Sequence, residues 1–304
     1  MSASDSHPGS AGVSPASLFP DVDYHFQIRF NRAAPADFFR PTEQHQRLLS
    51  ERRHWLTTSP ETYSALLPEG TGLLEETIAL ARESETLPSD FLGLAQAEAA
   101  PGSVPTTPPG SAGVSPARFH HLNRSLGMSW ELDFLLLEIT PAASVRLVGG
   151  CVCFPSSWSL EEKLGKPIEF IHGVVPGLNP ALGPQIHSFL TKLKPGLAWL
   201  RSNWGLSRSS ELNQHPSRKL PRLDETVSLE QAWLRIENQA LVALPVTKGI
   251  LFGIRIVMQP LAAICQDEAT ASRLARALRT MPEEMARYKG LDRARARLLT
   301  LLPG

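Results

Sequence analysis

The sequence predicts an α+β fold: a five-stranded antiparallel sheet interrupted by a helical excursion and flanked by helices at both ends. Three observations carry this prediction. Apolar, β-branched runs with strand-like alternation fall at 131–139, 145–154, 197–206, 232–242 and 249–258. Between the second and third runs, proline and glycine punctuate a segment whose apolar residues recur at helical spacing. Before the first run and after the last, the apolar period returns to that of amphipathic helices.

In chain order, a short strand is predicted over Tyr24–Phe30, then a helix from Thr42 to about Leu56. Thr42 would cap that helix, and Leu48, Leu49, His54 and Trp55 are spaced toward a core. A second helix over 71–85 gathers Leu73, Leu74, Thr77, Ile78 and Ala81 on one face. The turn Pro141-Ala-Ala-Ser144 joins Glu131–Ile139 to Val145–Phe154 as a hairpin. Ser159-Leu-Glu-Glu162 is a capping box opening a short helix that Gly165 and Pro167 close. Asn179 is expected to cap the next helix with Pro180 at its first position, and Leu182, Ile186, Phe189, Leu190 and Leu193 form its stripe. Pro195-Gly196 ends it, three strands follow, and helix resumes from Asp267 with Leu274, Leu278 and Met281 inward. Strand, strand, helical excursion and three strands is the order of PAS-like domains, where the sheet packs a ligand against the excursion.

The chain has 304 residues, enough for one large core or two small ones. Lysine plus arginine and aspartate plus glutamate number 30 each, so no net charge draws it to nucleic acid. The arginines from Arg273 to Arg297 are interleaved with acidic residues and fit a solvated helix face. Neither nucleic acid nor membrane is an expected partner, since no apolar run reaches the roughly 18 residues of a span. Three cysteines make no disulfide framework, and the first residues lack a basic-then-apolar signal, so a cytoplasmic location is expected. Cys151 and Cys153 share a strand face and are expected side by side as buried structural thiols. The nonapeptide PGSAGVSPA occurs at 8–16 and again at 109–117, a composition too poor in apolar residues to build a core. The expected organisation is a low-complexity terminus at 1–20, a mostly helical segment at 21–95, a linker at 96–117, the sheet core at 118–262 and helices at 263–304.

Chemistry concentrates in 154–177 and 232–262. Period two puts Trp233, Arg235, Glu237 and Gln239 on one strand face, in an otherwise apolar neighbourhood. Arg255 stands alone among apolar residues of the last strand and needs a partner, either Glu237 or an anionic group of a ligand. Arg201 and Asn203 share a face with Trp199, leaving Trp204 on the other. His172 ends a short helical stretch and enters Gly173-Val-Val-Pro176-Gly177, a loop stiffened by proline. Neutral imidazole on such a loop suits metal or haem ligation. His187 lies on the amphipathic helix and reads as a surface residue, and His120 and His121 have no evident partner. No Walker loop, G-x-G-x-x-G, G-x-S-x-G or H-E-x-x-H is present.

These segments resemble the family of haem-dependent oxidative N-demethylase α subunits. The matching elements are Cys153-Phe-Pro-Ser-Ser-Trp158, Ile171-His172 with Val175-Pro176-Gly177, Arg201-x-Asn203-Trp204, and Leu234-Arg235-x-Glu237-x-Gln239-x-Leu241. Leu244-Pro245-x-Thr247, Leu251-Phe252-x-Ile254-Arg255 with Pro260-Leu261, and Met281-Pro-Glu-Glu-Met-Ala-Arg-Tyr288-Lys289-Gly290-Leu291 continue the series. Ala243 and Val246 depart from the pattern, which has a basic residue beside Leu-Pro, as do Ile256-Val257, where it has Thr-Tyr. The resemblance implies a PAS-like fold holding haem b, and oxidative removal of a methyl group from a small secondary or tertiary amine with release of formaldehyde. It implies electrons from NADPH through FMN and an iron–sulfur cluster on a partner reductase subunit. Carried onto the motif, His172 is the iron ligand, and Arg235, Gln239 and Arg201 belong to the cofactor's surroundings. Glu237 and Arg255 are the candidates for catalysis, holding either the substrate ammonium or a propionate. A haem-binding sensor or carrier without turnover, and a haem-free interaction domain, are the alternative readings.

Overall fold

The computed structural model describes residues 15–26, 29–88, 91 and 116–303. Its sheet has seven strands with all neighbours antiparallel: β1 (Asn31–Ala33), β2 (Ser64–Leu66), β3 (Asp133–Ile139), β4 (Val145–Cys151), β5 (Ala198–Ser207), β6 (Trp233–Ala243) and β7 (Ile250–Pro260). Their order is β1-β5-β6-β7-β3-β4-β2, so the last strand lies beside the first long one at the centre. The α+β class and the five long strands match the sequence reading, and two short edge strands raise the count to seven. Three residues are too few to display a period of two, so only a partner's edge makes β1 and β2 strands. The strand predicted over Tyr24–Phe30 is not formed at Tyr24–Phe26, and 27–28 lie outside the described residues. The Tyr24 amide instead donates to Thr280 Oγ1 at 2.8 Å, away from any ladder.

One face of the sheet carries α1 (Pro35–Phe39), whose Phe38 and Phe39 rings come so close that a Cβ on Gly253 would lie 2.9 Å from each. The helix predicted from Thr42 is α2 (His45–Thr58), and Thr42 is not its cap. The Thr42 amide and hydroxyl instead donate to the buried Glu131 carboxylate. The second helix is α3 (Thr71–Glu83), with the five predicted residues buried. A further helix, α4 (Pro116–Ser129), begins where the linker was placed and escapes the sequence reading. Its apolar stripe is short, Phe119, Leu122 and Leu126, and the buried positions beside it are the polar or small Asn123, Ser125, Gly127 and Ser129. Gly127 permits the close approach, because a Cβ there would sit 2.3 Å from Cys151 Sγ. The terminal 1–14 and the rest of the predicted linker, to 115, lie outside the described residues.

The excursion comprises α5 (Leu160–Lys163), α6 (Ile168–His172) and α7 (Leu178–Thr191). The Ser159 cap forms, with its hydroxyl accepting the Glu162 amide at 3.4 Å. Asn179 does not cap α7, which starts at Leu178 after Gly177 in the left-handed conformation, φ 72°. Asn179 Nδ2 donates to Glu169 O at 2.7 Å and so ties α7 to α6. After β7 come α8 (Glu268–Thr280), α9 (Glu283–Tyr288) and α10 (Arg295–Leu301), which bury Leu274, Leu278, Met281, Met285 and Leu298 with Leu234 and Ile236 of the sheet. No helix among the described residues is long and apolar enough to cross a membrane.

Two buried ion pairs hold this arrangement. Arg52 of α2, fully buried, donates to Asp133 Oδ1 at 2.6 Å and to Gly127 O at 2.7 Å. Asp133 also accepts the amides of Cys153 at 2.7 Å and Phe154 at 3.0 Å. Arg255 pairs with Glu131, which also takes His45 Nδ1 at 3.1 Å. Cys151 and Cys153 lie side by side as expected, their sulfurs 3.9 Å apart and both buried. Removing one partner of a buried pair strands the other charge, at about 3–5 kcal/mol. Arg52→Met is therefore expected to lower unfolding stability by about that amount, measured by urea titration. A loss within about 0.5 kcal/mol would show that Asp133 finds compensation elsewhere.

Candidate functional site

Antiparallel pairing of β6 sets Glu237 opposite Asn203 on β5 and Ile256 on β7, and Gln239 opposite Arg201 and Ile254. Opposed residues point to the same face, so Arg235, Glu237, Gln239, Arg201 and Asn203 share one surface. This is the face whose polar alternation the sequence displayed. Arg255 is not on it. Its register partner is Asn238, one residue out of phase with Glu237, which sends the guanidinium to the opposite face. There it pairs with Glu131 and donates to Phe38 O at 2.7 Å and Arg40 O at 3.0 Å. The expected Glu237–Arg255 pairing is thus corrected, and Arg255 belongs to the scaffold side.

The Glu237 carboxylate is held by three donors: Ser156 Oγ at 2.5 Å, Gln239 Nε2 at 3.1 Å and Asn203 Nδ2 at 3.4 Å. Ser156 is itself positioned by Arg235 Nε at 2.7 Å, while Arg235 Nη2 donates to Phe154 O at 2.7 Å. Arg235 is 3% exposed, and burial holds its guanidinium down to about 10 against the pull of Glu237 and Asp133. Arg235 therefore braces the loop after β4 and presents Ser156 to Glu237.

His172 ends α6 and is half-buried. Burial first, then the charges of Arg201 and Lys163, lower its imidazole to about 4, against a smaller opposing effect of Glu169. It is a neutral ring at any ordinary pH. Burial likewise holds Arg201 below its usual value, with Glu237 acting the other way. Among the described residues Arg201 makes no hydrogen bond or ion pair. Lys163 lies over the Trp158 ring at 4.4 Å and is also lowered by burial. Lys289, just past α9, donates to Trp204 O at 2.6 Å, and burial brings it down to about 8. The result is one carboxylate, Glu237, with Arg201, Lys163 and Lys289 within electrostatic reach and none of them ion-paired to it.

Sequence reasoning placed His172, Arg201, Arg235, Glu237 and Gln239 in one region, and the structure brings them to one face or its rim. It missed Ser156, Lys163 and Lys289 as site residues; their only signal was position inside or beside the quoted motifs, since none obeys a strand period. His187 Nε2 donates to Ala143 O, 2.7 Å away, on the exposed side of α7 as expected. No group of three or more His, Cys, Asp or Glu among the described residues is placed to hold a metal ion. A single imidazole, as haem iron needs from a protein, is a different arrangement.

Residues 30–299 match the family described as haem-dependent oxidative N-demethylase, alpha subunit-like. The chain belongs to this family. An unprotonated imidazole beside cations is a donor set that suits haem in general: nitrogen for iron, positive charge for propionates. His172 and the unpartnered Arg201 meet both requirements.

Neutral His172 also leaves a mark on stability. Its folded pKa of about 4 lies below the ordinary histidine value of 6.5, so the unfolded chain binds this proton first. Its contribution is fully present above about 6.5 and is lost as pH falls toward about 4. Melting curves from about pH 7 to about pH 4.5 are expected to show wild type losing more stability than His172→Asn. Parallel pH dependences would mean that His172 is solvated and titrates normally.

Proposed function

We propose that this chain is the haem-bearing oxygenase subunit of an amine N-demethylase, with His172 as the iron ligand and Glu237 as the group that holds the amine. The observation that carries this reading is that neutral His172, unpartnered Arg201 and the triply held Glu237 lie within electrostatic reach of one another, His172 through Arg201, in a protein belonging to this family. The retained order of strand, strand, excursion and three strands, with β7 beside β3, supports a PAS-like core with the ligand between sheet and excursion.

When bound, haem supplies the oxidative chemistry that removes an N-methyl group as formaldehyde, with electrons arriving from NADPH through FMN and an iron–sulfur cluster on a partner reductase subunit. The chain's own residues bind and orient. A secondary or tertiary ammonium places its N–H toward a Glu237 oxygen, an interaction strengthened where water is scarce. Ser156, Gln239 and Asn203 fix the direction of that carboxylate, and Arg235 keeps Ser156 in place without touching the substrate. Arg201 answers a negative group of the cofactor. Arg255, which faces the other side of the sheet, acts only by keeping β7 anchored to Glu131.

Protein purified with haem supply is expected to show a Soret band. His172→Ala should abolish or shift that band and lower haem retention, whereas His187→Ala should leave both unchanged. An unaltered spectrum in His172→Ala would remove the ligand assignment. Glu237→Gln is expected to keep haem near the wild-type level while amine-dependent spectral shifts and formaldehyde release fall by at least about tenfold. Loss of haem in that variant would make Glu237 a structural acceptor for Ser156 instead.

A further inference from the structure

Lys289 lies where the rim of the sheet is unfinished. Pairing between β1 and β5 stops at Asn31 and Leu200, so among the described residues the outer edge of β5 beyond that point has no strand beside it. The chain leaves α9 through Gly290 in the left-handed conformation, φ 68°, and Lys289 Nζ meets this edge at Trp204 O, 2.6 Å away. An ammonium carries three donors, and this one uses a single protein acceptor. Its charge also lies 5.0 Å from the Trp204 ring centroid.

Arg201 stands on the same stretch of β5, and its like charge helps to lower Lys289, after burial, in a desolvated setting. Glu237 is the anion within reach of both, yet it is ion-paired to neither: its three donors are Ser156 on one oxygen and Gln239 and Asn203 on the other, which leaves the first oxygen able to accept again. Two cations facing a single carboxylate leave an excess positive charge in a desolvated setting, which costs the folded chain energy. A ligand bringing negative charge between them would offset that cost. We propose that Lys289 and Arg201 form a two-cation clamp for a carboxylate of a ligand bound beside Glu237. The identity of that ligand as haem, whose propionates supply the carboxylate, rests on the functional reading above.

Lys289 gives the clamp a pH dependence. The groups facing it are Glu237 of β6 and Arg201 of β5; Tyr288 adjoins it on its own element, and Tyr24 of the N-terminal segment faces Tyr288. With Lys289 near 8, the clamp is doubly charged at pH 7 and loses one charge as pH rises through about 8. Ligand affinity should fall over that interval.

Haemin and haemin dimethyl ester, titrated into the full chain and followed by tryptophan quenching, separate the carboxylates from the rest of the macrocycle. Lys289→Met is expected to weaken haemin binding about tenfold at pH 7 and to leave the dimethyl ester unaffected. Wild-type affinity for haemin should drop between about pH 7 and pH 9, and Lys289→Arg, charged throughout, should bind tightly at both. Unchanged haemin affinity in Lys289→Met, or equal loss of haemin and its ester, would overturn the clamp. If wild type binds no haemin, the haem reading fails, and glutarate then tests the clamp alone. The dicarboxylate should raise the melting temperature of wild type and not of Lys289→Met, and equal shifts in both would overturn it.

Discussion

The ion pair between Arg52 and Asp133 is the contact on which the rest of the molecule depends. It is fully enclosed, and each member spends its remaining hydrogen-bonding capacity on backbone: Arg52 on Gly127 O, Asp133 on the amides of Cys153 and Phe154. One pair therefore ties α2, α4, the start of β3 and the chain leaving β4. Burial raises the Asp133 carboxyl above its usual range, and Arg52 with the two amides pulls it back. From Phe154 the constraint continues outward: its carbonyl accepts Arg235, Arg235 donates to Ser156, and Ser156 donates to Glu237. The carboxylate proposed to hold substrate is thus oriented by a relay that begins in the core on the far side of β4.

The two sides of the sheet use charge differently. On the scaffold side, Arg255 and Glu131 neutralise one another and gather His45, Thr42 and the carbonyls of Phe38 and Arg40. On the recess side, Arg201, Lys163 and Lys289 carry charge lowered by burial and left without carboxylate partners among the described residues. Charges neutralised within the protein stabilise the fold, whereas cations without a carboxylate partner give affinity for a group that brings negative charge. This asymmetry is the physical basis for placing the ligand on the excursion side.

Much of the architecture was legible because it follows periods. The alternation in Trp233–Gln239 and Ile250–Met258 identified both central strands and the face shared by Arg235, Glu237 and Gln239. The Ser159 capping box formed as written. Elements that escaped lack a period or borrow their stability. β1 and β2 exist through the edges they extend, and α4 dilutes the short stripe of Phe119, Leu122 and Leu126 with buried Asn123 and Gly127. Thr42 and Asn179, residues typical of helix caps, instead bond Glu131 and Glu169, because distant acceptors competed with the local ones.

By itself the sequence determined the fold class, the five long strands, the family and the list of polar residues set into apolar strands, since each is a matter of local pattern or motif. Only the tertiary structure decided which of those residues meet. Register put Arg255 one residue out of phase with Glu237 and gave it to Glu131, and a turn past α9 brought Lys289 back to β5. A strand's own pattern states which residues share its face; how one strand is set against the next depends on contacts between segments far apart in the chain.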